Sequence, residues 1–285
     1  MFTPIARTGA AQPRVARPLR AFALMTAALG LLALGACKSA NGDITGSIGG
    51  AGAELPASPD ALQKFSDDWG RRYEADPANK MAAINYSRAL RQQARTAQAV
   101  AVLQGAVIKH PNDFDLLGAY GKALADNGRL KEAADALARA HTPERPNWGI
   151  LSAQGAVADQ LGDHAGAQNY YEAALKIAPG DPAVLSNLGL SYALTNQLPR
   201  AETSLRQAAA HPQADNRVRQ NLALVLALQG KFGEAEEVSR HDLSPADAAA
   251  NVAAIRSMIA QSNTWRDIQN PHGLKRGKQT ASATQ

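Results

Sequence analysis

Small side chains recur in this sequence every 34 residues, five times in succession. In frames that start at Lys80, Phe114, Trp148, Pro182 and Asn216, position 8 is glycine, alanine or serine and position 20 is always alanine. These residues are Ser87, Gly121, Gly155, Gly189 and Ala223 at position 8, and Ala99, Ala133, Ala167, Ala201 and Ala235 at position 20. A helix pair of this length cannot bury its apolar face alone, so the period predicts helix pairs that stack on one another. Such an architecture favours binding over catalysis.

Other positions of the frame indicate two helices in each unit. Positions 4, 7, 8 and 11 fall on one face of a first helix, and positions 20, 24 and 27 on one face of a second. Position 15, between the helices, is Gly128, Gly162, Asn196 and Gly230 in the last four frames and Ala94 in the first. Glycine and asparagine tolerate the left-handed conformation that ends many helices, so a turn is predicted there.

This pattern resembles the tetratricopeptide repeat (TPR), with its tyrosine, small residues, alanines and terminal proline at matching spacings. The resemblance implies an all-α TPR solenoid of five helix-turn-helix repeats, at 80–113, 114–147, 148–181, 182–215 and 216–249. Apolar residues at helical spacing predict a capping helix at each end of the solenoid domain 59–262, at 59–76 and at 246–260. These helices would cover the otherwise exposed ends of the stack.

The first 36 residues have the pattern of an export signal. Four arginines and no acidic residue precede a short apolar core at 21–34, which is too short for a stable membrane span. The segment Leu34-Gly35-Ala36-Cys37 follows and is similar to a bacterial lipobox, which implies lipidation of Cys37. The alternative is an uncleaved signal anchor. Cys37 is the only cysteine, so no disulfide forms within the chain.

The segments on either side of the solenoid predict an anchored domain with local reach. In lipoproteins, a lysine such as Lys38 in place of aspartate implies the outer membrane, on its periplasmic face. Residues 37–58 are rich in glycine and serine and predict a flexible tether, with a reach of roughly 25 Å for about 20 residues. Residues 263–285 predict a disordered tail.

The net charge does not indicate a nucleic-acid partner. The whole chain has a formal charge of +5, but residues 1–36 contribute four arginines and no acid, which leaves +1 for the mature chain. A near-neutral solenoid lacks the positive field that binding to phosphates requires. We expect no nucleic acid among the partners.

No catalytic, metal-binding or cofactor-binding arrangement stands out. There is no His-Glu-x-x-His pair and no glycine-rich phosphate loop, and lipidation of Cys37 would remove the one thiol. His110, His141, His211 and His241 fall near the ends of second helices, where they favour interaction with exposed carbonyl groups. We expect a protein that is not an enzyme, with no cofactor, no metal and no small-molecule substrate.

The TPR resemblance implies that the first helix of each repeat lines a concave groove, through positions 2, 5, 9, 12 and 13. One end of this groove is charged and the other is apolar, which is typical of a site for a helix or an extended peptide. The candidate partner-binding residues are Arg88, Arg91, Lys122, Asp126, Leu190, Leu194, Leu224 and Leu228. Two alternatives stay open: the helix at 246–260 fills the apolar half, or that half is open to a partner.

Position 5 of the frames argues against one known mode of recognition. The family's clamp for a peptide carboxylate uses a lysine at position 5 and asparagines at positions 6 and 9. Asn85, Asn187 and Asn221 occupy position 6, but position 5 holds Ile84, Gly118, Ser152, Ser186 and Gln220. Recognition of a terminal carboxylate in that manner is not expected.

The lipobox, the repeats in phase and the late segment Ser262-Asn263-Thr264-Trp265 together resemble TadD, the TPR lipoprotein of the tight-adherence (Flp) pilus system. This resemblance implies a scaffold that helps an outer-membrane secretin, or another pilus assembly component, to assemble or reach its place. The alternative is a lipoprotein adaptor of another envelope system, such as type IV pili, outer-membrane protein insertion or cell-wall synthesis.

Overall fold

The computed structural model describes residues 54–269, with side chains as far as residue 261. The predicted signal 1–36, the lipidation site Cys37 and residues 38–53 of the predicted tether lie outside the described residues. Twelve helices occur in the described range. They are α1 (Pro59–Ala75), α2 (Lys80–Gln92), α3 (Thr96–Lys109), α4 (Phe114–Asp126), α5 (Leu130–Ala138), α6 (Trp148–Leu161), α7 (His164–Ile177), α8 (Pro182–Leu194), α9 (Leu198–Ala209), α10 (Asn216–Leu228), α11 (Phe232–Ser239) and α12 (Pro245–Gln269).

The first helix of each repeat begins at position 1 of its 34-residue frame because an N-cap precedes it. In all five cases the preceding side chain accepts a hydrogen bond from the backbone N–H three residues later, at 3.0–3.1 Å. The capping residues are Asn79, Asp113, Asn147, Asp181 and Asp215. Such caps contribute about 1 kcal/mol each. A recurring aspartate or asparagine therefore sets the start of every repeat.

The turn between the paired helices is left-handed in every repeat. The φ angles at position 15 are 78°, 87° and 79° at Gly128, Gly162 and Gly230, and 59° at both Ala94 and Asn196. Ala94 thus adopts the glycine conformation although its side chain opposes it. A left-handed alanine costs roughly 1–2 kcal/mol, so the first repeat carries strain at this turn that the repeats with glycine lack.

The two helices of a repeat cross where position 8 meets position 24. A Cβ added to Gly121 would lie 2.6 Å from Leu137 Cγ, and one added to Gly155 would lie 2.6 Å from Tyr171 Cε1. In the fifth repeat both positions are small, Ala223 and Ser239, and both are buried. The position-20 alanines are all 0% exposed. The recurring small residues are therefore where the backbones approach most closely.

The helices form two rows that differ in spacing. The first helices, α2, α4, α6, α8 and α10, contact their neighbours in the row, whereas the second helices, α3, α5, α7, α9 and α11, do not contact one another. We call these the inner row and the outer row, because the row with the closer spacing lies on the inside of a curved stack. The prediction of five stacked helix pairs with a capping helix at each end is confirmed.

The C-terminal capping helix is longer than predicted. α12 packs on α10 and α11 and continues to Gln269, past the predicted end at residue 260. Residues 263–269 are therefore helical and not part of a disordered tail. The physical reason is that no glycine or proline occurs in this stretch before Pro271, so nothing in it ends the helix. Residues 270–285 lie outside the described residues.

Candidate protein-binding groove

The predicted charged half of the groove offers less charge than its sequence indicates. Arg91 Nε donates to Asp126 Oδ2 at 2.6 Å, which joins the first two helices of the inner row. The Arg91 side chain is 9% exposed. Arg88 Nη1 donates to Asn85 Oδ1 at 3.3 Å, and Lys122 is fully buried. Of the four predicted residues, the structure pairs Arg91 with Asp126 and buries Lys122, so the charge available to a partner is smaller than the sequence predicts.

The apolar half of the groove consists of two leucine pairs on adjacent inner helices. Leu190 and Leu194 lie one turn apart on α8, and Leu224 and Leu228 lie one turn apart on α10. Leu228 is 38% exposed, and the other three are partly buried. Leu224 packs against the buried cluster of the C-terminal repeats. The remaining three leucines therefore present the apolar surface that this half of the groove offers.

The capping helix α12 does not cover the leucines of α8. Its apolar residues Val252 and Ile255 are buried against α10 and α11, with Met258 packed beside them. α12 contacts these two helices and makes no contact with α8 in the described part of the chain. It therefore occupies the end of the inner row and leaves Leu190 and Leu194 accessible.

A ladder of side-chain amides and hydroxyls joins the inner helices next to the leucines. Asn187 Nδ2 donates to Ser152 Oγ at 3.3 Å, and Asn221 Nδ2 donates to Ser186 Oγ at 3.0 Å. Each bond links position 6 of one repeat to position 5 of the repeat before it. The serines at position 5 thus serve as acceptors for the asparagines, in the place where a carboxylate clamp would need lysine. This bonding explains why serine, and not the lysine of the carboxylate clamp, occupies position 5 in the third and fourth frames.

Asp159 is hydrogen-bonded to side chains of two neighbouring helices, a role that the sequence does not predict. Its Oδ1 accepts hydrogen bonds from Ser191 Oγ and pairs with His164 Nδ1, both at 2.9 Å, and its Oδ2 accepts one from Tyr171 at 3.2 Å. Burial raises the pKa of Tyr171, and the nearby Asp159 carboxylate raises it further. Asp159 therefore ties α6 to α7 and α8, between the two halves of the groove. No recurring pattern marks this residue, because position 12 is aspartate only in the third frame.

A second ionic centre lies in the outer row. Glu202 of α9 accepts from Lys231 Nζ at 2.7 Å and from Gln229 Nε2 at 2.9 Å. Arg206 pairs with Glu202 at 2.9 Å and with Glu234 of α11 at 2.5 Å. The hydrogen bond from Lys231 is the main cause that lowers the pKa of Glu202 to about 2. These pairs hold the fourth and fifth repeats together on their outer side.

The histidines are dispersed and bonded to different groups. His110 contacts the Ala78 carbonyl at 2.9 Å, His141 contacts Gln154 at 3.0 Å, and the His211 ring accepts from the Gln213 N–H at 3.2 Å. No cluster of histidine, cysteine, aspartate and glutamate that could hold a metal ion occurs in the described residues. Among the described helices, none combines the length and the apolar character that a membrane crossing requires.

Comparison with protein families gives two matches, both described as tetratricopeptide repeat. One model matches residues 85–147 and the other matches residues 160–225. Together they fall on the inner and outer rows described above. Comparison with curated proteins gives no match.

Several solved structures have a similar fold. PilW, described as a widely conserved type IV pilus biogenesis factor, is 15% identical with a TM-score of 0.58, and the match covers 68% of this chain and 91% of PilW. The APC/C hetero-tetramer Cut9-Hcn1 is 14% identical with a TM-score of 0.58, and the match covers 71% of this chain and 40% of that one. The human IFIT1 dimer is 16% identical with a TM-score of 0.55, and the match covers 65% of this chain and 46% of that one. At such identities the likeness establishes the fold alone.

Proposed function

Since this chain is a tetratricopeptide-repeat solenoid, we propose that it is a non-catalytic scaffold that holds a segment of a partner protein in its inner-row groove. The observation that carries the proposal is the accessible pair Leu190 and Leu194, which α12 leaves uncovered. An apolar patch of this kind, bordered by polar groups, is typical of a peptide-docking surface.

The chemistry of the groove favours an apolar, weakly charged partner segment. Arg91 and Asp126 already neutralise each other, so long charged side chains of a partner would gain little at that end. The apolar half offers leucine surface, and the amides of Asn187 and Asn221 lie beside it. Burial of about 200 Å² of apolar partner surface there would contribute roughly 5 kcal/mol before the cost of association.

The sequence supports a location for this scaffold, and we propose it as part of the function. Cys37 would be lipidated and would fix the protein to the periplasmic face of the outer membrane, with residues 37–58 as its tether. We further propose that the partner belongs to the Flp (Tad) pilus apparatus, with its outer-membrane secretin as the first candidate. PilW, of similar fold, is a precedent for a TPR solenoid in a pilus system.

Crosslinking in intact cells, followed by affinity purification and mass spectrometry, tests the partner. We expect recovery of a secretin together with Flp pilus components. Recovery of the cell-wall or outer-membrane insertion machinery in their place would contradict the pilus assignment and support an adaptor of another envelope system. A Cys37→Ser variant should move from the outer-membrane fraction to other fractions if lipidation is the anchor.

The groove is tested with a double variant, Leu190→Asp with Leu194→Asp. These leucines are not part of a buried cluster, so we expect retained helicity and loss of the crosslinked partner. Leu161→Asp is the matched control, because Leu161 is 47% exposed and lies at the end of α6, outside groove positions. Equal partner recovery with the double variant and the control would refute the groove as the site.

A further inference from the structure

The outer surface of the first repeat lacks the charges that solvated outer helices normally carry. α3 contains no charged residue before Lys109, the last residue of the helix. Ala101, Gln104 and Ile108 are exposed along one face, and Ile108 is 74% exposed, the largest exposed fraction among the large apolar residues described. By contrast, α9 and α11 each carry three charged residues. A single exposed isoleucine is common on protein surfaces, and it indicates a docking site only where further apolar surface lies beside it.

A cleft opens beside this face, between α3 and α5. It has a volume of about 230 Å³, and its apolar floor includes Val107, Leu117 and Leu124, with Tyr120 at the side. The cleft exists because helices of the outer row do not contact one another, while α4 of the inner row lies behind them. Its floor is apolar because Leu117 and Leu124 also belong to the core of the first two repeats.

At two other gaps in the outer row, side chains bridge the space between the helices. Between α9 and α11 the bridge is the ion pair of Arg206 with Glu234, at 2.5 Å. Between α7 and α9 it is Tyr192, whose hydroxyl donates to Glu172 at 3.2 Å while Arg200 lies over its ring at 4.0 Å. No ion pair between α3 and α5 is present among the described residues. The gap of the first two repeats thus offers apolar surface with no ion pair across it among the described residues.

The charged groups at the rim of this cleft leave one carboxylate available. Glu132 is neutralised by its ion pair with Arg129, and Arg139 donates to the carbonyl oxygen of Pro111 at 2.8 Å. Asp135 lines the cleft, is exposed, and has no hydrogen bond or ion pair within the described part of the chain. A cation brought next to it would gain a partner without breaking an existing pair.

We propose that the cleft between α3 and α5 is a second docking site, on the outer face. Its occupant is an extended segment of a partner protein that carries an apolar side chain next to a lysine or arginine. The apolar side chain enters the cleft against Val107 and Tyr120 and covers Ile108, and the cation pairs with Asp135. This site is independent of the inner-row groove, so the scaffold holds two segments on opposite faces.

The test selects ligands for the full chain, purified in detergent, from a displayed library of random linear peptides. We expect the selected peptides to share an apolar residue next to lysine or arginine. Their binding should protect residues 101–108 and 132–139 from hydrogen exchange. Asp135→Lys should weaken these peptides at least 10-fold, and selection on that variant should return peptides with aspartate or glutamate next to the apolar residue.

Two controls separate this site from general surface charge and from the groove. Glu237→Lys reverses an exposed charge at the same frame position, 22, in the fifth repeat, and should leave the affinity unchanged. The double variant Leu190→Asp with Leu194→Asp should also leave it unchanged. The proposal is overturned if no shared sequence emerges, if Asp135→Lys leaves affinity and selection unchanged, or if the groove variant abolishes binding. Each variant is first checked for unchanged helicity and melting.

Discussion

Ala94→Gly should stabilise the protein, although glycine usually destabilises folded chains. Ala94 has a φ angle of 59°, a region in which an L side chain with a Cβ is strained. The turn does not depend on this side chain, because Ala94 N–H donates to the Arg91 carbonyl at 2.9 Å and Arg95 N–H donates to the Leu90 carbonyl at 2.8 Å. Gly128 shows that glycine holds the same turn at 78°.

The expected gain is the difference between two effects. Removal of the Cβ relieves roughly 1–2 kcal/mol of left-handed strain. Glycine also gives the unfolded chain more freedom, which opposes the gain by about 0.4–1 kcal/mol. We therefore expect the free energy of unfolding to rise by about 0.5–1 kcal/mol. Because repeat arrays respond locally, native-state hydrogen exchange of α2 and α3 should show the increase more clearly than global melting.

Two variants test the reasoning behind this expectation. Gly162→Ala makes the opposite change at the same frame position, where φ is 87°, and should destabilise by about 1 kcal/mol. Ala101→Gly, at an exposed position inside α3, should destabilise by about 1 kcal/mol as ordinary helix glycines do. If Ala94→Gly lowers the stability of the first repeat as Ala101→Gly does, the conformational argument fails.

Two further changes should lower stability for different reasons. Gly189→Ala would place a Cβ 2.7 Å from Leu205 Cγ and 3.2 Å from the Ala201 carbonyl oxygen, so urea unfolding should show a loss of roughly 1–3 kcal/mol, and a change below 0.5 kcal/mol would contradict the close crossing. The folded-state pKa of Glu202 lies at about 2, below its ordinary value of 4.5, so its contribution is present above pH 4.5 and is lost as the pH falls towards 2. Because solvent screens its half-exposed partners, the contribution of Glu202 to the free energy of unfolding is about 1–2 kcal/mol. Acid unfolding of Glu202→Gln should lack that part of the pH dependence. An unchanged acid profile would count against the network.

The repeat could be predicted from the sequence because its physical causes recur. Ala133 and its equivalents are fully buried at each helix crossing, and Gly121 leaves room that Leu137 fills. In each frame, the small residue that recurs in the sequence is also the residue that the close helix crossing requires. The aspartates and asparagines at the frame ends, such as Asp113, carry an equally periodic signal for the helix starts.

The position of the groove could be predicted from the sequence, but the exposure and the pairing of its side chains could not. Position 9 locates Lys122 and Leu190 on the inner row, yet one is buried and the other partly exposed. Whether the Arg91 charge is available to a partner depends on Asp126, which lies on the first helix of the next repeat. The meeting of Asp159 with Ser191 likewise depends on the angle between repeats. Such contacts arise from stacking geometry, which a frame alone does not specify.

Residues that recur in a repeat protein stabilise the stack, so recognition of a partner must depend on residues that do not recur. Position 20 is alanine in all five frames and is fully buried each time. Position 22 holds Ala101, Asp135, Asn169, Thr203 and Glu237, and position 9 changes from Arg88 to Leu224. A change at a recurring position should therefore lower stability and every binding activity together. Changes at Asp135 or Leu190 should each remove one binding activity and leave stability and the other activity in place.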